Sequence, residues 1–194
     1  SYVSHMENNN TAGTGILALS YGSSSLSSLP DTAKFIGFFA NNSLVGSIEG
    51  NNASGIRYVT SGADYAEYLP KEDVSEVFEK GDIVSVVNGK ISKNTTGFQQ
   101  LMVLSSGAAV AGNWPKDNKE DYELVSFFGQ VYTKIKGKVN KGDFIIPDGN
   151  NAGVGVAIAK DDMTADLRSQ IVGRAWESST EEDVKLINTA VGFM

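Results

Sequence analysis

Two carboxylates set three residues apart, Asp64 and Glu67, are the side chains in this sequence best suited to chemistry. They sit in the run Ser61-Gly62-Ala63-Asp64-Tyr65-Ala66-Glu67-Tyr68. Such a pair can divide the work of amide cleavage, one carboxylate activating the attack while the other protonates the departing nitrogen. The same spacing also suits a helix start, where an N-cap Asp and a Glu three residues on satisfy backbone N–H groups and do no chemistry. Both readings stand on the sequence.

Little else could assemble a reactive centre. The 194 residues include no cysteine, which removes disulfides, thiolate nucleophiles and cysteine-ligated zinc. His5 is the single histidine, so a histidine metal site or a Ser-His-Asp triad within one chain is not expected. No cofactor and no metal are expected. A net charge of −7 argues against nucleic acid, which draws most of its affinity from Lys and Arg on phosphates. Gly153-Val154-Gly155-Val156-Ala157 lacks the lysine and the strand-to-helix setting of a phosphate loop, and reads as strand glycines at a tight contact. Glu181-Glu182-Asp183 reads as a solvated turn, with calcium binding as the lesser alternative. Trp114 and Trp176 are expected to anchor the core or a subunit interface; the alternative is that a Trp beside polar loops stacks on a sugar ring.

The elements that must position Asp64 and Glu67 change character at that run. Residues 1–62 carry five charges, Glu7, Asp31, Lys34, Glu49 and Arg57, among Asn, Ser, Gly and apolar residues. Strands are expected at Gly15–Tyr21, Lys34–Phe39, Leu44–Gly50 and Ile56–Thr60, with turns at Ala40–Ser43 and Asn51–Gly55. One ribbon of short strands cannot bury both faces, and isolated hairpins are marginal in water. Association with identical copies into a homotrimeric shaft is therefore expected.

Residues 63–194 carry regular charge and recurring short apolar runs. Lys80-Gly81-Asp82-Ile83-Val84 returns as Lys141-Gly142-Asp143-Phe144-Ile145, each a Gly-Asp turn feeding a strand. Asn88-Gly89 marks a tight hairpin. Further strands are expected at Leu101–Leu104, Leu124–Phe128, Gln130–Ile135, Val154–Ala159, Ile171–Trp176 and Val184–Asn188, with helical turns at Val74–Phe78 and Asp162–Arg168. The expected fold is mainly β: an elongated trimeric β neck over residues 1–62, then a compact β-barrel or sandwich over 63–194 with little helix. No apolar run approaches the ~20 residues of a membrane span, and no signal-peptide pattern opens the chain.

The run Phe35-Ile36 to Phe38, then Leu44-Val45-Gly46-Ser47-Ile48 to Gly50-Asn51, then Ile56 to Ser61, resembles the neck that leads into C-terminal chaperone domains of trimeric phage and bacterial fibres. Gly62-Ala63-Asp64-Tyr65-Ala66-Glu67-Tyr68 is similar to the start of the intramolecular chaperone autoproteolytic family called peptidase G2. Leu101-Met102-Val103-Leu104-Ser105-Ser106-Gly107 with Ala111-Gly112-Asn113-Trp114 is similar to a further block of that family. The resemblance implies that Asp64 and Glu67 take part in cutting the chain after Ala63. It implies a trimerisation and chaperone domain of an extracellular or virion fibre; the alternative is a retained fibre-tip adhesin that binds a receptor or glycan. Ser61 and Lys71 do not match the other phage-fibre chaperone peptidase pattern, because Gly62 stands where that family has Asp.

Overall fold

The computed structural model describes residues 33–52 and 55–192. The strand expected at Gly15–Tyr21 and His5 lie outside the described residues. The chain divides into two units between Thr60 and Ser61.

In the first unit β1 (Lys34–Ala40), β2 (Ser43–Gly50) and β3 (Ile56–Val59) form an antiparallel sheet in that order. Asn41 and Asn42 both take positive φ, 47° and 63°, the two-residue turn whose twist matches a hairpin. Strand alternation separates two kinds of surface. Lys34 and Arg57 stand on either side of Glu49 in register, and the buried Glu49 carboxylate pairs with both, at 3.4 and 2.8 Å. The neighbouring row, Ile36, Ile48 and Tyr58, lies on the other face. Phe38, Leu44, Ile56 and Tyr58 are exposed, Tyr58 by 76%.

The second unit is a β-barrel structure. Its strands are β4 (Asp64–Pro70), β5 (Ile83–Val87), β6 (Lys90–Ser92), β7 (Gln100–Leu104), β8 (Val110–Gly112), β9 (Tyr122–Ile135), β10 (Phe144–Pro147), β11 (Gly155–Ile158), β12 (Gly173–Ala175) and β13 (Lys185–Val191). Pairing runs from β9 to β13, β12, β10 and β11, and Gly155 of β11 returns to Ile135 of β9, closing a ring. A second ring runs from β9 to β7, β5 and β6, where Ile91 bridges to Lys71 just beyond β4, and β4 pairs back onto β9. The repeated Lys-Gly-Asp segments open equivalent halves of this pattern. In each, a Gly at φ 85° or 90° turns the chain, and the Asp carboxylate accepts the N–H three residues earlier, Glu79 or Asn140, at 2.8 Å. Gly81 N–H then donates to Leu104 and Leu104 N–H to Asp82; Gly142 and Asp143 make the same two bonds with Ala175.

Two apolar clusters fill the unit. Ile83, Leu101 and Val103 join Val131, Ile135, Ile145 and Ile187 in one; Val84, Met102 and Leu104 join Ile91 and Val125 in the other. Successive residues of β5 and β7 thus enter different clusters, which is why both strands are buried on both faces. The expected break between Leu124–Phe128 and Gln130–Ile135 is absent. A register shift near Phe127 and Gly129 at φ 121° bend one 14-residue strand instead of ending it. The helical turn expected at Val74–Phe78 is also absent: Asp73 accepts Ser75 N–H at 2.8 Å and Glu76 N–H at its carbonyl, which closes an isolated turn. Among the described residues, helix is confined to Ala165–Arg168 (α1), capped by Thr164, and to 3-10 turns at Lys119–Asp121 and Lys160–Asp162.

Asp82, 1% exposed, also meets Lys134 of β9 at 2.7 Å. Burial alone would lower the Lys134 pKa, but hydrogen bonds to Asp82 and Glu79 outweigh it and hold the ammonium above the ordinary lysine value. A raised cation stabilises the fold fully below its unfolded-state pKa, and the contribution is lost as pH rises through the folded-state value. Denaturation of Asp82→Ala at neutral pH should show a loss of about 3 kcal/mol or more, because half-buried Lys134 keeps only the exposed Glu79 carboxylate and the Glu79 N–H loses its acceptor. The decline in wild-type stability above pH ~10.5 should be flattened in Asp82→Asn.

Candidate functional site

Asp64 opens β4, a strand and not a helix, so the capping-box reading falls. Its side chain points into the barrel unit and is 4% exposed. Ser105 Oγ donates to Asp64 Oδ1 at 3.1 Å and accepts Gly107 N–H at 3.2 Å. Asp64 Oδ2 is buried with no hydrogen-bond partner. Ser105 follows directly on β7, whose alternation turns Val103 and Ser105 to the same side.

The peptide before Asp64 is held from several directions. Gln130 N–H donates to Ala63 O at 3.3 Å, and Ala109 N–H donates to Asp64 O at 2.8 Å. A Cβ on Gly62 would stand 2.2 Å from Ala108 C and Ala109 N, and one on Gly129 would stand 2.5 Å from Ala63 O. Only residues without a side chain allow the segment around Ala108 and β9 to approach this closely. Ser105, Ser106, Gly107, Leu104 and Tyr68 line a groove of about 850 Å³ that opens beside this arrangement.

Glu67 is not brought to Asp64. Three residues apart on a strand places their side chains on opposite faces, and Glu67 stands half-buried against Gly112 of β8 and opposite Val125 of β9. Ser61 and Lys71 lie beyond opposite ends of β4, and Lys71 is taken up by Glu123 at 3.2 Å. Gly153 packs against Asp82 and Gly155 against Ile83 and Ile135. In the 181–183 turn, Glu182 pairs with Lys138 at 3.4 Å, and the Glu181 and Asp183 carbonyls accept the Lys185 ammonium.

Neither tryptophan is in the core, contrary to that part of the sequence expectation. Trp176 is 49% exposed and Trp114 is 62% exposed. Trp114 meets Tyr68 edge to face at 5.1 Å, and the Lys119 ammonium lies 4.1 Å over its ring, a contact that holds a cation against the negative face of the indole. Neither Lys134 nor Lys119 carries a mark in the sequence, and Ser105 enters it only as part of the Leu101–Gly107 block that resembles peptidase G2, with no role attached.

No family model matches the chain, and no curated protein matches it. Among solved structures it is similar to pre-mature bacteriophage phi29 gene product 12, with a TM-score of 0.50 at 17% identity over 76% of this chain and 24% of that one. It also aligns with the bacteriophage phi29 gene product 12 C-terminal fragment, with a TM-score of 0.48 at 18% identity over 66% of this chain and 99% of that one. The chain spans about a quarter of the first of these. The likeness establishes a common fold.

The crowding around the Ala63–Asp64 peptide has a direct consequence for substitution. Gly62→Ala should destabilise the barrel unit by about 1–3 kcal/mol, as overpacking against backbone does. Gly107→Ala, with nothing within 4 Å of the new Cβ, should be neutral or stabilising by up to about 1 kcal/mol. Chemical denaturation of the two variants side by side measures the contrast.

Proposed function

We propose that this chain is the C-terminal end of a homotrimeric fibre on a virion or cell surface. Residues 61–194 act as its trimerisation and intramolecular chaperone domain, and the chain cuts itself between Ala63 and Asp64. The observation that carries the proposal is the exposed apolar face of the β1–β3 sheet, which shows Phe38, Ile56 and Tyr58 to solvent in one copy. Both apolar core clusters of the described residues lie in the barrel unit. That unit can therefore fold on its own interior, whereas the β1–β3 sheet gains most by setting its apolar face against other copies. A barrel that folds first and holds three chains together raises their effective concentration, and the sheets then associate.

The fold likeness to a phage protein supports this reading. Asp64, buried on the C-terminal side of the Ala63 carbonyl with one oxygen unpartnered, is the group that this reading sets to act on that bond. Glu67, on the other face of the strand, is the second carboxylate implied by the resemblance to peptidase G2, and its substitution tests whether it takes part. A second reading, a retained fibre-tip adhesin, is favoured by exposed Trp114 with Tyr68 and Lys119 beside a groove. An aromatic face flanked by polar groups suits a sugar ring.

Native and denaturing mass measurements on the same preparation test both. The proposal expects a native particle of three chains and fragments divided between Ala63 and Asp64, with Asp64→Ala and Glu67→Ala leaving the chain whole. A native monomer would overturn the trimer. An intact trimer that binds glycan, and loses binding at least tenfold in Trp114→Ala, would favour the adhesin.

A further inference from the structure

We infer that Ser105 is the positioning residue for cleavage at Ala63–Asp64, holding one carboxylate oxygen of Asp64 so that the other attacks the Ala63 carbonyl carbon. The inference rests on the self-cleaving reading above. Its basis is a buried hydrogen bond between residues 41 apart in the chain. Ser105 and Asp64 are 5% and 4% exposed. The Ser105 hydroxyl accepts from Gly107 N–H, which orients its own proton towards Asp64 Oδ1. Oδ2 is left without a donor. A buried acceptor in that state is costly, and a carboxylate oxygen without a hydrogen bond is the more nucleophilic of the two.

The other requirements of acyl transfer are present around the same peptide. Gln130 N–H already donates to Ala63 O, where negative charge would build up as the carbonyl carbon becomes tetrahedral. A fixed backbone donor at that oxygen stabilises the transition state more than the ground state. The close approaches at Gly62 and Gly129 prevent the peptide from swinging away. Ser105 also lines the open groove of about 850 Å³, which brings water as far as the residue that holds Asp64.

The reaction balances without an oxidant or a second substrate other than water. Oδ2 of the Asp64 carboxylate bonds to the Ala63 carbonyl carbon and closes a six-membered ring. The bond from that carbon to the Asp64 nitrogen breaks, its electron pair stays on nitrogen, and the nitrogen takes a proton from water. Ala63 is then joined to the Asp64 side chain as a mixed anhydride. The hydroxide left by that water adds to the Ala63 carbonyl, the new C–O bond breaks, and the products are a free Ala63 carboxylate, the restored Asp64 carboxyl group and a new N-terminus at Asp64. One water is consumed.

Cleavage of the full chain is followed by mass spectrometry for wild type, Ser105→Ala, Ser105→Thr and Ser126→Ala, each checked for native mass and melting temperature. The expected result is a rate about a hundredfold lower in Ser105→Ala, the size of loss that misplacement of a reacting group causes. Ser105→Thr, which keeps the hydroxyl, should recover most of the rate. Ser126→Ala removes a neighbouring buried hydroxyl that has no partner and should cut at the wild-type rate. Hydroxylamine added to wild type should convert the fragment ending at Ala63 from the acid to the hydroxamate, and this decides the matter should Ser105→Ala fail to fold. Cleavage of Ser105→Ala at the wild-type rate, or no hydroxamate, would overturn the inference and leave self-cleavage standing. A wild-type chain that stays whole throughout assembly would overturn self-cleavage and this inference with it.

Discussion

A carboxylate taken out of water must have its charge met, and the barrel unit is fastened where it meets that of Asp82. One oxygen binds the Lys134 ammonium on β9 and the other accepts Glu79 N–H in the turn. Gly153 packs against the same carboxylate, and its carbonyl accepts Ile83 N–H at 2.7 Å. One side chain thus joins the first Lys-Gly-Asp turn, the longest strand and the loop before β11. A salt bridge of this kind adds little net stability over an apolar replacement, but removing half of it is expensive. Its effect is to specify which segments meet.

The rest of the unit follows from repeating that turn. Asp143 closes the second turn as Asp82 closes the first, and each turn docks on the last residue of a later strand, Leu104 or Ala175. Two halves of similar design share β9, whose Gly129–Ile135 stretch pairs with β13 over seven residues and whose Tyr122–Gly129 stretch pairs with β4. β9 serves both rings, and it can do so because Gly129 lets the strand bend rather than stop. Closing each ring removes most of the exposed strand edges that an open sheet would leave for uncontrolled pairing. Among the described residues the β1–β3 sheet has no such closure, and its exposed apolar face is the physical reason for proposing an assembly of copies.

The same strand geometry shapes the candidate site. Because β4 is extended, Asp64 turns inward to Ser105 while Glu67 turns to the opposite side. The pair that looked like a joint acid and base in the sequence is divided between two surfaces. What surrounds Asp64 instead is a hydroxyl from the end of β7, an amide from β9 and two glycines that permit close backbone contact. The tryptophan beside the neighbouring groove is exposed for a related reason: Asn113 at φ 51° turns the chain just before Trp114 and gives its side-chain N–H to Tyr68 O at 2.8 Å.

Local chemistry was enough to read the turns and most strands. Asn88-Gly89 and the two Lys-Gly-Asp segments state their conformations in their own residues, and the alternation in β2 or β13 needs no distant partner to be seen. The mainly β class and the change of style near residue 62 were legible for the same reason. Three things were not. The strand through Gly129 looked like two, since a glycine in a strand reads alike whether it bends the chain or ends it. The segment at Asp64 resembled a helix cap, since spacing alone does not choose between periods of 3.6 and 2. Ser105 stood in the Leu101–Gly107 run with nothing to link it to Asp64, 41 residues away. Each depends on which distant segment arrives alongside, and that is decided by burial and by the pairing of β4, β7 and β9, not by neighbours in the chain.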